Sequence, residues 1–332
     1  MDSLFRPLRA LRVSVTDRCN FRCPYCMPRD TFGEGFRFLE REEILTFEEI
    51  LRLVRIFVGL GAVKVRLTGG EPLLRRGLPD LVAQLVRVPG LREVTLTTNG
   101  SLLAGLAGSL KAAGLSRLTV SLDSLDPIRF KENADTGVVL AQVLAGLEAA
   151  TAAGFQGTKL NCVLRRGVND ADIIPLAAYA RDKGYTLRFI EFMDVGTRNG
   201  WCLDSVVPAA EVAERINRQW PIERYWRNVP SCVAQHWRYR DGTGELGLIA
   251  SVTEPFCAGC DRARLSADGA LFTCLFAAEG LDLKGFLRNG ASDAELTALL
   301  EARWKRRDDH YSELRSAETV NLPRAEMFHL GG

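Results

Sequence analysis

Residues 11–15 alternate apolar and polar, with Leu11, Val13 and Val15 set against Arg12 and Ser14, which predicts a strand. Thr46-Phe47-Glu48-Glu49 is a capping-box pattern, and Phe47, Ile50, Leu51, Val54, Phe57 and Val58 follow at helical spacing until Gly59 and Gly61. The same sequence of strand then helix recurs. Strands are predicted over 63–68, 93–98, 117–122, 158–164 and 186–193. Helices are predicted over 78–88, 102–113 and 173–183, and around Leu140, Val143, Leu144 and Leu147. Strand and helix alternating in this way describe a parallel sheet with right-handed crossovers, and six strands are too few for the usual eight-fold closure. Strands covered on both faces should be almost wholly apolar. Here Lys64, Arg66 and Thr68 alternate with Val63, Val65 and Leu67, and Lys159 and Asn161 alternate with Leu160 and Cys162. One face is polar, so the pattern favours a curved sheet around a wet, charged lumen over a flat doubly wound sheet.

Beyond about residue 196 the pattern changes. A helix is predicted over 208–220, then short strands with turns at Asp241-Gly242 and Asp268-Gly269, then a helix over 292–306 opened by Ser292 and Glu295. The expected fold is α/β: a partial six-fold βα barrel over 1–225, with a smaller α+β domain over 226–332 closing its open side.

Composition narrows the function. Apolar residues make up 47% and charged residues 25% of 332, ordinary for a globular protein. A formal net charge of +2 gives no reason to expect a nucleic-acid partner. Arginines interrupt every apolar run before residue 12, and no apolar stretch is long enough to span a bilayer, so neither a secretory pattern nor a membrane partner is expected. Nine cysteines in such a chain point to a reducing, cytoplasmic setting and to metal binding instead of disulfides.

Three of them, Cys19, Cys23 and Cys26, fall within eight residues, with Pro24 and Pro28 preventing a regular helix. Convergent thiolates suit a soft metal centre. A closed zinc or iron–sulfur site takes four ligands. Three on a four-iron cluster would leave one iron open to another molecule; the alternatives are a zinc loop completed from elsewhere or three unrelated buried cysteines. Cys257, Cys260 and Cys274 form a second set, the Asp268-Gly269 turn folding Cys274 back toward Cys260. Zinc and iron–sulfur remain open there. Cys162, Cys202 and Cys232 are scattered and read as buried or free thiols.

Other informative residues share the C-terminal ends of predicted strands: Gly69-Gly70-Glu71-Pro72, Thr97 to Gly100, Ser121 with Asp123, and Glu191 with Met193. In βα barrels that rim carries the chemistry. Arg262 and Arg264 fall on one face of a strand. With Arg12, Arg66 and Lys159 they supply five cations to one space, which suits a small polyanion. No Walker motif is present to hold a triphosphate.

The spacing C-x-x-x-C-x-x-C with Tyr25 before the third cysteine, together with Gly69-Gly70-Glu71-Pro72, resembles the radical S-adenosylmethionine (SAM) enzymes. Within them the chain is similar to the GTP 3′,8-cyclases of molybdenum cofactor biosynthesis, in both cysteine sets and in the Met327 to Gly332 tail ending Gly331-Gly332. That resemblance implies a SAM-chelating 4Fe-4S cluster on Cys19, Cys23 and Cys26, and a second, substrate-binding 4Fe-4S cluster on Cys257, Cys260 and Cys274. It implies SAM contacts from Tyr25, Gly70, Ser121 and Met193. It implies GTP contacts from Arg12, Arg66, Thr97, Lys159, Arg262, Ala263 and Arg264. Arg12, Arg262, Arg264, Gly331 and Gly332 would take part in catalysis, with the glycine tail entering the site. A 5′-deoxyadenosyl radical would take hydrogen from ribose C3′, and that carbon would join guanine C8. A flavodoxin- or ferredoxin-like electron donor is expected, with cyclic pyranopterin monophosphate synthase taking the product, and the reading leaves room for a homodimer.

Residues 129–139 and Asn321-Leu322-Pro323-Arg324 depart from the family's usual pattern. Two other readings compete. A radical SAM enzyme acting on a peptide leaves Arg262 and Arg264 unexplained. An electron carrier with two clusters would be expected to carry four cysteines for each.

Overall fold

Alternate residues of the central strands part cleanly by burial. Leu11, Val13, Val65, Leu67, Leu96, Val120, Leu160 and Leu187 are all 1% exposed or less and face the helices, while Arg12, Lys64, Arg66, Lys159 and Arg188 are not in that core. The computed structural model describes residues 1–226, 233–315 and 322–331. Its strands are β1 (Ala10–Ser14), β2 (Lys64–Thr68), β3 (Glu93–Thr98), β4 (Arg117–Ser121), β5 (Lys159–Leu164), β6 (Thr186–Glu191), β7 (Ile222–Tyr225), β8 (Gln235–Tyr239), β9 (Glu245–Ile249), β10 (Arg262–Leu265), β11 (Ala270–Phe272) and β12 (Leu281–Asp282). They form one sheet in the order β12-β11-β10-β1-β2-β3-β4-β5-β6-β9-β8-β7.

The six βα units are as the periodicity predicts. Thr46 caps the helix Phe47–Gly59 in a full capping box with Glu49, and that helix buries Ile50, Leu53, Val54 and Phe57 against β1 and β2. The helix predicted over 78–88 stops at Leu85. Pro89 disfavours helical backbone at Val88, so the chain leaves the helix before it. The strand predicted to reach residue 193 stops at Glu191, whose buried carboxylate accepts the amides of Ala209, Val252 and Thr253 and ties the strand end to the C-terminal part. The stretch 129–139, unassigned from the sequence, begins inside a helix, Pro127–Ala134. Asp126 caps that helix, and Asp135, in left-handed backbone with φ 38°, ends it.

The C-terminal strands complete both edges of the barrel sheet. β10 pairs parallel with β1 and carries the antiparallel β11 and β12; β9 pairs parallel with β6 and carries the antiparallel β8 and β7. The Asp241-Gly242 and Asp268-Gly269 turns are where the sequence places them, with both glycines at positive φ. The C-terminal tail ends in a short helix, Met327–Leu330. Among the described residues no helix is long and apolar enough to cross a membrane.

Candidate active site

β1 and β2 run side by side, so the loops at their C-terminal ends are neighbours. The amide of Gly70 donates to Thr16 O at 2.8 Å and that of Glu71 to Arg18 O at 2.8 Å. This close approach requires glycine: a Cβ on Gly70 would lie 2.2 Å from Arg18 O, and Gly69, at φ +148°, would meet Thr16 O at 2.4 Å. Glu71 then ties in the rim of β3, accepting the Thr98 hydroxyl at 2.6 Å and the Asn99 amide at 2.7 Å. Burial lifts its carboxyl to about 7 against those hydrogen bonds.

Within the cysteine loop the amides of Cys26 and Met27 both donate to Cys23 O, at 2.9 and 2.8 Å, a tight turn between the second and third cysteines. Cys19 Sγ accepts the Phe21 amide at 3.4 Å. In the metal-free chain burial, with Glu71 nearby, raises Cys19 to about 11. Burial and the neighbouring thiols raise Cys23 and Cys26 further. Thiols costly to ionise alone are what a cationic metal centre relieves, since ligation requires the thiolate. Among the described residues no three cysteine, histidine or carboxylate groups converge closely enough for a single metal ion.

The four residues expected to meet SAM share this rim. Tyr25 donates its hydroxyl to Asp123 Oδ2 at 2.7 Å, and Asp123 Oδ1 accepts the Val163 amide at 2.9 Å, so the ring is fixed. Gly70 lies beside the cysteine loop, Ser121 ends β4, and Met193 follows β6 with its carbonyl held by Asn199 Nδ2 at 2.9 Å.

The second set is built around the β10–β11 hairpin. Cys257 and Cys260 flank a 3-10 turn closed by the Cys260 amide on Cys257 O at 3.0 Å. Burial opposes ionisation of Cys260, but Arg262 and Arg307 outweigh it and bring the thiol down to about 7. Arg262 Nη2 lies 3.3 Å from its sulfur. Cys274 lies just past β11, accepts the Phe276 amide at 3.4 Å, and is pushed up to about 11 by burial and Asp309.

Between the two cysteine sets runs a cationic wall. Strand register places Arg264, Arg12 and Arg66 in one row across β10, β1 and β2. Arg66 donates to the hydroxyls of Thr97 at 2.9 Å and Thr119 at 3.2 Å, and Thr119 is the register partner of Lys159. Burial, reinforced by neighbouring cations, lowers every one of these groups: Arg66 to about 10, Arg264 to about 9, Lys159 to about 7, and Arg12 well below its usual value. Arg188 on β6 acts on both Arg12 and Lys159 and belongs to the wall. Sequence reasoning missed Arg188 and Thr119 as site residues, although each lies on the polar face of an alternating strand. Ala263 is fully buried in the core, on the opposite face from Arg262 and Arg264, so only its main chain is available to a ligand.

The tail reaches this wall. Arg264 Nη1 donates to Gly331 O at 2.7 Å, and a Cβ on Gly331, at φ +67°, would lie 2.3 Å from Thr68 and 2.6 Å from Ser14 Oγ. Gly332 and Cys232 lie outside the described residues. Cys162 is buried beside Asp123 and Asn169, and Cys202 is exposed beside Ser205; neither joins a cysteine set.

Comparison with known proteins bears on this geometry. Residues 13–180 match the model of the radical SAM superfamily, and residues 185–313 match the model described as Molybdenum Cofactor Synthesis C. The GTP 3′,8-cyclase of Acidothermus cellulolyticus is 56% identical over 322 residues, covering 96% of this chain and 89% of that one. That of Xanthomonas axonopodis pv. citri is 49% identical over 331 residues, covering 100% and 98%. Among solved structures, Streptococcus suis SuiB bound to S-adenosylmethionine superposes with a TM-score of 0.63 at 16% identity, covering 94% of this chain and 68% of that one, a likeness of fold alone. With near-complete coverage by relatives at this identity, the chain belongs to the GTP 3′,8-cyclase family of the radical SAM superfamily.

Proposed function

We propose that the chain cyclises GTP to (8S)-3′,8-cyclo-7,8-dihydroguanosine 5′-triphosphate, the first step of molybdenum cofactor biosynthesis. The observation that carries this reading is the row Arg264, Arg12, Arg66, extended by Lys159, lying between two three-cysteine sets. A wall of half-buried and buried cations with no carboxylate in the row is suited to a triphosphate. A peptide-modifying reading leaves that wall without a purpose.

Cys19, Cys23 and Cys26 would hold a 4Fe-4S cluster with one iron open to SAM, beside Tyr25, Gly70, Ser121 and Met193. The chemistry that cluster would supply, when bound and reduced, is the one-electron cleavage of SAM that would generate the radical for hydrogen removal at ribose C3′. Cys257, Cys260 and Cys274 would hold a second, substrate-binding 4Fe-4S cluster. Arg12, Arg66, Lys159, Arg262 and Arg264 bind and orient the triphosphate, Thr97 helps fix Arg66, and Ala263 offers its main chain. Gly331 fills the space beside Arg264 and would exclude water, which a reactive carbon radical requires, and we assign Gly332 to the same catalytic tail from the sequence. We assign residues 1–225 to the barrel and 226–332 to the part carrying the second cluster. A flavodoxin- or ferredoxin-like donor in the cytoplasm would supply electrons, and cyclic pyranopterin monophosphate synthase would take the product. A homodimer is compatible with this arrangement.

The test is anaerobic reconstitution with iron and sulfide, followed by dithionite, SAM and GTP. 5′-Deoxyadenosine should form in a GTP-dependent manner alongside the cyclised nucleotide. Deoxyadenosine that forms equally fast without GTP overturns the substrate assignment.

A further inference from the structure

The rim loop after β6 carries a carboxylate that the chemistry above does not use. Asp194, one residue past Met193, is 1% exposed. It is gripped by three groups from the C-terminal part: the Tyr311 hydroxyl at 2.6 Å, Arg315 Nε at 2.9 Å and Arg324 Nη1 at 3.0 Å. Arg324 also donates to the main-chain carbonyl of Asp194. The side chains of Arg315 and Arg324 are 8% and 1% exposed, so a single buried carboxylate holds two buried guanidiniums.

The floor of this site belongs to the second cysteine set. Phe276, whose amide donates to Cys274 Sγ, stacks on Tyr311 at 4.4 Å, and the Arg324 guanidinium lies 4.7 Å from the Tyr311 ring. The Ala325 amide donates to Ala277 O at 3.0 Å. From Arg324 the chain runs directly into the tail. Beyond it the tail is also fastened by Glu326 on Thr197, Phe328 on Phe32 at 4.8 Å, His329 on Asp268 at 2.9 Å, and the buried Arg264 on Gly331 O at 2.7 Å.

We propose that Asp194 is a positioning residue that locks the C-terminal tail shut through Arg324, joining the loop beside Met193, the loop after Cys274 and the tail at one buried charge. The proposal rests on the cyclase reading only in what the closed tail is for. Arg324 is the tail's own share of this buried charge cluster, so its loss should release the tail well before the barrel opens.

The experiment is hydrogen exchange of the loaded, full-length protein, with the deoxyadenosine-to-product ratio measured in parallel. Arg324→Met leaves Asp194 paired to Arg315 and Tyr311, so it tests the lock even if Asp194→Asn does not fold. Exchange over 325–331 is expected to speed up about tenfold or more in Arg324→Met, with β1 to β6 still protected. Deoxyadenosine per product should rise as closure fails. Where Asp194→Asn folds, adding it to Arg324→Met should bring little further change over 325–331. Unchanged tail exchange overturns the proposal, as does equal loss of protection in tail and strands. A loosened tail with an unchanged ratio overturns it too, because the contact is then merely structural. Absence of GTP-dependent deoxyadenosine in the unaltered protein would count against the cyclase reading instead, and leaves the exchange result standing.

Discussion

Arg12 and Arg264 are register partners across the parallel β1–β10 pair, so a half-buried and a buried guanidinium from opposite ends of the sequence stand side by side on one face of the sheet. Arg264 lowers Arg12's affinity for its proton, Arg262 and Arg66 lower both groups, and no carboxylate is among the main influences on Arg12. A site that concentrates like charge without a counter-charge is most stable with a polyanion in place.

GTP should therefore raise the melting temperature of the metal-free chain, and GDP and GMP progressively less. At a hundredfold excess over the dissociation constant the gain is about 2.7 kcal/mol. Arg264→Ala should weaken GTP by roughly 10- to 100-fold, the value of one or two charge-assisted hydrogen bonds, while both cysteine sets still load iron. Loss of iron in that variant would make the arginine structural.

Gly70→Ala addresses the seam between the glycine segment and the cysteine loop. The added methyl meets Arg18 O at 2.2 Å, and a main-chain atom cannot swing aside as a side chain can. The two loops must part, at a cost of about 1–3 kcal/mol. Iron retained by the first cysteine set should fall along with SAM binding. Normal iron content with only SAM affinity reduced would show that the seam tolerates the methyl.

Much of this arrangement was legible in the chain because local rules and tertiary demands agree. Alternation at Lys64, Arg66 and Lys159 gave both the strand and its polar face, and the spacing of Cys19, Cys23 and Cys26 gave a convergent loop. The placement of β9 and β10 was not legible. Nothing in Glu245–Ile249 or Arg262–Leu265 states which open edge each joins, because pairing partners far apart in sequence are chosen by the whole sheet. Thr119 escaped notice because a threonine in a strand is ordinarily just a strand former. It becomes informative only once Arg66 is seen to reach it. Asp194 was invisible for a related reason, since its partners lie more than a hundred residues along the chain.

Glu71 should give the metal-free chain a measurable pH dependence. Burial is the main cause of its elevation to about 7 from an ordinary 4.5, and the Asn99, Thr98 and Leu73 donors only partly oppose it. Between these values the folded chain keeps a proton that the unfolded chain has lost. Its contribution to stability is therefore fully present below about pH 4.5 and declines as pH rises toward about 7, with a slope of up to about 1.4 kcal/mol per pH unit. Glu71→Gln cannot titrate. Urea midpoints at pH 5 and pH 7.5 should differ more in the parent than in the variant, in the sense of a less stable parent at the higher pH. Parallel pH profiles would show that the carboxylate stays ionised throughout.

Two members of the second cysteine set, Cys260 and Cys274, should differ in reactivity before metal enters. Cys260 lies near 7, because Arg262 and Arg307 together overcome its burial, whereas Cys274 is held near 11 by burial and Asp309. The thiolate is the reactive form, although a lower pKa also makes it a weaker nucleophile and so narrows the gap. Brief iodoacetamide treatment of metal-free protein at pH 7.5 should label Cys260 about tenfold or more ahead of Cys274, as read by peptide mass spectrometry. Arg262→Ala removes the closest cation, and the labelling of Cys260 should then move to higher pH. Equal labelling of both cysteines in the parent protein would mean that access, not charge, controls them. In that case Arg262 would be placed for the nucleotide alone, with no part in preparing the thiolate for metal.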